Sequence, residues 1–533
     1  MVREPSEQRR GTMSRTGGSV AALPWAPWGS PGELGLRVRE ALRTGYWARL
    51  VPLLAALATV THLPSFARTV WSPDEGYLAT EARMLAGGGV LYNTVVDRKP
   101  PLLPWLYDAA FDLFGSGSLW PLRVLAIAAH VGTAVLLAAI ARKRWGDRYG
   151  VLAGIAYVLV SIGLSPEDSQ AATFEVFMLP GTAAAFWFAQ NRRWAPAGAA
   201  TAVAALTKQT GGAVLLPLLW LIWRGRGGGR PLLGAERGGR RRDLAALLFG
   251  FGLPIAVIAL STGVRNFVFW VVTGSSGYAS ADGAWLNMAE RCLGNAAILG
   301  AAALGLLVPV VRDWRRRRED ADLWVWFGSS WLGVITGFHF FGHYYLQLIP
   351  PLVLLGVGAL ARGAARVRPA MAWTVAASAV FCVLGFVWPH QSVQHDVSVA
   401  EVVAQDTTPE ETVLVWGMHP EMYWLSDRMP ATRYLTAGFL TNFSGGRDGR
   451  GVGVDKGVES AWKTFEAEMA TQLPEVVVDD SDGAPYAPQY ITPIRTLLAS
   501  HYERVARDGT TVIYRLRITP PLPHPPPRLG GLE

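Results

Sequence analysis

The sequence predicts an all-α polytopic membrane protein of about eleven transmembrane helices, followed by a small external α/β domain. Three observations lead there. Half of the 533 residues are apolar and only 17% are charged, a balance on the apolar side of a soluble enzyme. The apolar residues gather into runs near the length that crosses a bilayer as a helix, about 20 residues. Lys and Arg, 49 in all, cluster between the runs in the alternating fashion of the positive-inside rule.

The runs lie near 48–67, 121–141, 150–164, 173–190, 195–207, 211–223, 244–262, 292–311, 323–341, 346–361 and 371–388. Basic clusters fall at 3–49, 142–148, Arg192-Arg193, 224–242, 312–318 and 362–368. With a cytoplasmic N-terminus and eleven spans, all of these clusters face the cytoplasm. One span fewer before residue 224 would put the most basic loop outside. The excess positive charge is therefore topological and calls for no nucleic-acid partner. Cys292 and Cys382 each sit inside an apolar run, which excludes a disulfide framework. The first 45 or so residues are polar and basic, without the apolar stretch of a cleavable signal, and no such stretch follows Arg9-Arg10. The Ala/Gly/Arg/Val bias is that of a GC-rich bacterial genome, so the expected location is a bacterial plasma membrane.

Four regions follow: a disordered basic cytoplasmic tail (1–47), a transmembrane domain (48–388) with a first external loop at 68–120, an external α/β domain (389–518) and a proline-rich tail (519–533). In the α/β domain "TVLVWG" (412–417), "EVVVDD" (475–480) and "TVIYRL" (511–516) read as buried strands. The stretch 457–473 reads as a helix with Ala461, Phe465 and Met469 on one face. "WGMHPEMYW" (416–424) reads as core packing or an aromatic binding surface. "NFS" at Asn442 carries no weight in a bacterial chain.

In the first loop, "SPDEGYLATEARMLAGGG" (72–89) reads as an amphipathic helix. Ser72 is placed to cap it, Pro73 suits its first position, Glu75 completes a capping box and Gly87 to Gly89 stop it. Leu78, Ala82 and Leu85 share one face, so the helix is expected to lie flat on the outer membrane surface. Asp74, in the first turn where the helix dipole favours a carboxylate, is either a solvated first-turn acid or a group turned into the protein at the membrane boundary. Then "VVDRKPPLLPWLY" (95–107) places Asp97, Arg98 and Lys99 before a double proline. Charges at that depth need a partner or water. A cation there suits a lipid phosphate, with snorkelling as the competing reading for Arg98 and Lys99.

"PDEGYLATEARMLAGGGVLYNTVVDRKPPLLPWLY" resembles the first external loop of bacterial glycosyltransferases with the GT-C fold. The branch is the glycosyltransferase family 39, protein O-mannosyltransferase and RgtA/B/C/D-like group, related to the lipid A aminoarabinose transferases. "ATFEVFMLPGTAAAFWF", "AALTKQTGGAVLLPLLW" and "FGHYYLQLIPPLVLL" continue the resemblance in the family's order, over most of residues 50–360. It implies a polyprenyl-phosphate sugar as donor and an acceptor hydroxyl or amine on a protein, lipid or cell-envelope glycan. It implies that Asp74 is the base and that Lys99 of the "KP" turn meets the lipid phosphate. The aminoarabinose transferases carry a glutamate directly before that lysine. Here Arg98 stands there and the acid is Asp97, which puts a metal-ligand role for Asp97 in doubt. The family's second-loop acid would be Glu167 or Asp168.

Such a donor already has a good leaving group, so the protein must add acceptor deprotonation and charge stabilisation. Lys208 of "TKQTG", His343 of "GHYYLQ" and Arg98 are further candidates to hold the phosphate with Lys99, and Glu175 is a candidate to pair with a cation. The chemistry admits a divalent metal, although no His/Asp/Glu cluster has a recognisable ligand spacing. The rival readings are a secondary transporter, a flippase of envelope lipids and a scaffold. Charges at one face and no inverted repeat weigh against the transporter.

Overall fold

The computed structural model describes residues 45–225, 235–274, 277, 279–444 and 446–517. The expected basic tail before residue 45, the centre of the 224–242 loop and the 519–533 tail lie outside the described residues.

Helix α1 (Tyr46–His62) leads into a first loop carrying α2 (Pro73–Ala86) and α3 (Leu102–Phe114). Then come α4 (Trp120–Trp145), α5 (Asp147–Ser161), the short α6 (Pro166–Ser169), α7 (Phe174–Gln190), α8 (Trp194–Thr207) and α9 (Leu215–Arg224). After α10 (Ala235–Thr262) and α11 (Val264–Val268) follow α12 (Trp285–Ala302), α13 (Leu304–Arg312), α14 (Ala321–Ile335), α15 (Ile349–Ala361) and α16 (Val367–Val387). Helix occupies most of each of the eleven expected apolar runs, although the run at 323–341 is helical only to Ile335. Among the described residues, five helices are long and apolar enough to cross a membrane, or six if α12 and α13, which meet at 87°, form one span. The chain is a multi-pass membrane protein.

The shorter helices have a physical cause. Lys208, at the end of α8, is extended (φ −149°, ψ 135°), and a 3₁₀ turn (Gln209–Val214) leads from it into α9. Backbone broken in this way is tolerated at membrane depth only where protein or water covers it, and Thr207 and Lys208 are buried. Elsewhere the helices approach closely. A Cβ on Gly198 of α8 would stand 2.1 Å from the Leu247 carbonyl of α10, and one on Gly250 of α10 would stand 2.1 Å from the Ala195 carbonyl of α8. Each glycine is thus a notch for the other helix's backbone, as small residues are in membrane packing.

Helix α17 (Gln391–Asp406) opens the C-terminal region. A five-stranded sheet follows, in the order β2-β1-β3-β5-β4, from β1 (Thr412–Trp416), β2 (Met429–Pro430), β3 (Val476–Asp479), β4 (Tyr502–Asp508) and β5 (Thr511–Leu516). β1 is parallel to β2 and β3, and β5 is antiparallel to β3 and β4. Between strands lie α18 (Glu421–Leu425), α19 (Ala437–Thr441), α20 (Ala461–Thr471) and α21 (Thr492–His501). The three expected strands are present, and α20 buries Ala461, Phe465 and Met469. The sequence reading missed β4, whose residues "YERVARD" are mostly exposed and lack an apolar alternation, and the two-residue β2.

Helix α2 corrects one expectation. It does not lie on a membrane surface. Its small residues Gly76, Ala79 and Thr80 are buried as well as Leu78 and Ala82, because the face without large apolar groups receives α18. Thr80 Oγ1 donates to the Pro420 carbonyl (3.0 Å), and the Arg83 guanidinium to that of Trp424 (3.3 Å).

Candidate active site

Six separate segments deliver charged groups to one place. Asp74 comes from the first turn of α2, Lys99 from the approach to Pro100-Pro101 and Asp168 from α6. Glu175 comes from the first turn of α7 and Lys208 from the break after α8. His343 lies in a 3₁₀ turn (Gly342–Leu348) that leads into α15. Lys99 Nζ is 3.7 Å from Asp74 Oδ1, and His343 Nε2 is 3.7 Å from Asp74 Oδ2. The far side of the imidazole is fixed: Asp168 Oδ1 lies 2.9 Å from both His343 Nδ1 and the His343 backbone N–H. Ser165 donates its hydroxyl to the other Asp168 oxygen. Lys208 pairs with Glu175, which lies 4.0 Å from His343 Nε2.

Aromatic faces complete the walls. Lys99 Nζ stands 4.1 Å from the centre of the Phe174 ring, and Lys208 Nζ 3.9 Å from that of Tyr344, both in cation–π range. Burial pushes the Asp74 carboxyl up, but the charges of Lys99, His343 and Lys208 outweigh it and hold the group below its ordinary value. Asp168 is lowered in the same way: burial opposes it, and the hydrogen bond and charge of His343 prevail. Before His343 the chain is strained. Phe338 and Phe340 have φ of 57° and 50°, each costing about 1–3 kcal/mol, and Phe341 stacks on the imidazole at 5.7 Å.

A family model, dolichyl-phosphate-mannose-protein mannosyltransferase, matches residues 98–232. The crystal structure of ArnT from Cupriavidus metallidurans bound to undecaprenyl phosphate superposes with a TM-score of 0.57 at 16% identity, over 87% of this chain and 97% of that one. The apo form gives 0.59 at 15% identity, with the same coverage. The chain has the GT-C fold. No curated protein sequence matches it.

On this GT-C scaffold the other sequence candidates stand apart from the cluster. Glu75 is not the acid of a capping box, since Ser72 makes no side-chain cap. Its Oε2 takes the Trp71 N–H (3.0 Å) and the Arg123 guanidinium (2.8 Å), while Oε1 takes the Ala172 N–H (2.8 Å). Arg123, which the sequence reading missed, also donates to the carbonyls of Ser65, Arg68 and Thr69. Glu75 and Arg123 therefore form a wholly buried clamp that ties the loop to α4. Glu167 turns toward Trp388 and Arg68, and burial and neighbouring Asp168 raise its carboxyl. The acid that the second loop brings to the cluster is thus Asp168. Asp97 is buried with one oxygen on the Arg98 N–H (2.6 Å) and the other without a donor. Burial raises it against the opposing charge of Lys99, and its own charge acts on buried Glu81 of α2. Arg98 reaches the C-terminal domain, over the Phe439 ring at 4.8 Å.

A cavity of about 680 Å³ opens beside the loop, lined by Tyr92, Asn93, Trp270, Arg433 and Tyr434 among others. It holds none of the clustered charges, but Tyr92 donates its hydroxyl to the Lys99 carbonyl (2.8 Å). Among the described residues no group of three or more His, Cys, Asp or Glu is arranged to hold a metal ion. The cluster is a mixed-charge site with a carboxylate between two cationic groups. It can bind a phosphate and accept a proton.

Proposed function

We propose that this chain is an integral membrane glycosyltransferase. It moves a sugar from a polyprenyl-phosphate donor to an acceptor on a protein, lipid or cell-envelope glycan. The observation that carries the reading is the convergence of Asp74 with Lys99, Lys208 and His343 from four separate parts of the chain. The ArnT structure with bound undecaprenyl phosphate supports a lipid phosphate as the group those cations meet.

The bond from the anomeric carbon to the phosphate oxygen breaks, and the phosphate leaves with the electron pair. The acceptor oxygen or nitrogen attacks from the opposite side, which inverts the centre, and its proton passes to Asp74. Lys99 and Lys208 offset the charge that grows on the departing phosphate. His343, oriented by Asp168, adds a third donor. Glu175 keeps Lys208 in place. The topology that goes with this reading has eleven spans, a cytoplasmic N-terminus and the site and C-terminal domain on the external face. The grouping of the charges in one cluster supports a transferase over a transporter.

The test uses purified protein in nanodiscs with a panel of labelled polyprenyl-phosphate hexoses and pentoses and an envelope extract as acceptor. Wild type should release polyprenyl phosphate from one donor, and Asp74→Asn should not. Failure to consume any donor, or equal rates for the two proteins, would overturn the reading.

A further inference from the structure

The segment 416–424 meets α2 at its catalytic end. A Cβ on Gly76, two residues after Asp74, would stand 2.2 Å from the Glu421 Cβ, so Glu421 fills the notch that the missing side chain leaves. Further along α2, Arg83 Nη1 pairs with Asp427 Oδ1 at 3.0 Å. The first turn of α2 is therefore backed by the C-terminal domain through Glu421.

Behind the notch lies a buried cluster that the transfer chemistry does not use. Glu421 and Asp396 of α17 are both wholly buried. None of their four carboxyl oxygens has a hydrogen-bond donor from elsewhere. The two carboxyls neighbour each other, and a hydrogen bond between them requires that one keep its proton. His419 does not meet this need. It stands 3.5 Å from Asp396 but bonds Asp480 Oδ2 at 2.7 Å. Thr511 holds the other Asp480 oxygen (2.7 Å), and His395 lies 3.9 Å from it. From α2 the facing groups are uncharged Gly76 and Thr80. Two negative charges in such a site, with His419 bonded to Asp480, would carry a large desolvation cost. Burial and the facing Asp396 charge accordingly push the Glu421 carboxyl well above its ordinary range.

We propose that Glu421 is a positioning residue for Asp74: protonated and bonded to Asp396, it seats the C-terminal domain in the Gly76 notch, and its ionisation frees the first turn of α2. The direction follows from linkage. A carboxyl raised in the folded joint favours that joint below its ordinary pKa, and the advantage is lost as pH rises through the raised value. The joint loosens toward alkaline pH. The proposal rests on the transferase reading only for its effect on turnover.

Hydrogen exchange of residues 73–86, in the full-length protein in nanodiscs from pH 6 to 9 and corrected for intrinsic rates, is the primary test. In wild type, protection should fall as pH rises. Glu421→Gln keeps a donor for Asp396 and should hold protection level across the range. Glu421→Ala should lower protection about tenfold throughout, the equivalent of one lost buried hydrogen bond, and Gly76→Ala, which collides with Glu421, should do the same. The proposal is overturned if Glu421→Ala exchanges like wild type, or if Glu421→Gln keeps the wild-type pH dependence. Turnover is read in parallel. A misplaced base costs roughly 10²-fold in kcat, so Glu421→Ala should be slow and Glu421→Gln near wild type. If exchange behaves as stated while wild type transfers no sugar, the joint stands and the transferase reading fails.

Discussion

Replacing Lys208 with alanine should injure the protein twice, by separable amounts. Lys208 is buried and paired with Glu175, whose second oxygen has no hydrogen-bond partner. Taking the lysine away leaves a buried carboxylate with His343, 4.0 Å off, as a neighbouring cation. Breaking a buried pair from one side costs about 3–5 kcal/mol, whereas replacing both partners with apolar groups is near neutral. Lys208→Ala should therefore lower stability by that amount, and Lys208→Met combined with Glu175→Leu should restore most of it. Donor binding divides differently. If Lys208 meets the phosphate, both variants lose that contact, worth about 1.5–3 kcal/mol, and affinity falls about ten- to hundredfold in each. Thermal unfolding in detergent reads the first quantity, and titration with a short-chain polyprenyl phosphate reads the second. A double variant that is stable and binds like wild type would refute a phosphate role and leave Lys208 as a structural partner of Glu175.

Four further outcomes are expected. Asp74→Asn should lower turnover by roughly 10²–10⁴-fold while leaving donor affinity largely intact, because a positioned base contributes about that much; single-turnover transfer measures it. The Asp74 carboxyl is depressed by its cations, so its contribution to stability is present above the ordinary carboxylate value and lost as pH falls through the depressed one, and acid unfolding of Asp74→Asn should show a shallower slope there. Arg123→Ala should cost about 3–5 kcal/mol by stranding wholly buried Glu75, seen as a lower unfolding temperature with α2 unprotected in hydrogen exchange. Reporter fusions after residues 230 and 390 should read cytoplasmic and external, and both on one side would refute the eleven-span topology.

Much of the site was legible because its residues violate the local composition. Asp74, Lys99, Lys208 and His343 are charged or titratable groups beside apolar runs, and the cost of placing them there marks them out. Pairing was not legible. Glu75 follows Ser72 at capping-box spacing, and only the fold reveals that Arg123 of the next long helix takes the carboxylate. Glu167 and Asp168 are adjacent, so the choice between them depends on which one a short helix turns toward His343. The α18 segment reads as core packing or an aromatic binding surface, because its aromatic residues say nothing of which partner they meet. The decisive feature is Gly76, whose absent side chain has no signature in periodicity. The α/β domain was legible where strands are buried and illegible where β4 is exposed.

The paired notches at Gly198 and Gly250 bear on how this protein can move. Two helices that meet through side chains can slide, since rotamers change and ridges ride over one another. Here carbonyls sit in each other's recesses at two points, and a shift by even one residue's rise, about 1.5 Å, would push them against neighbouring Cβ atoms. α8 and α10 thus behave as a mortise joint with a single setting. The Lys208 break at one end and the cavity wall that begins just beyond α10 are held at a constant separation. Rocking of one half of the bundle against the other, the motion an alternating-access carrier depends on, is barred along this seam. Any movement that the proposed transfer requires falls to other seams and to the loops.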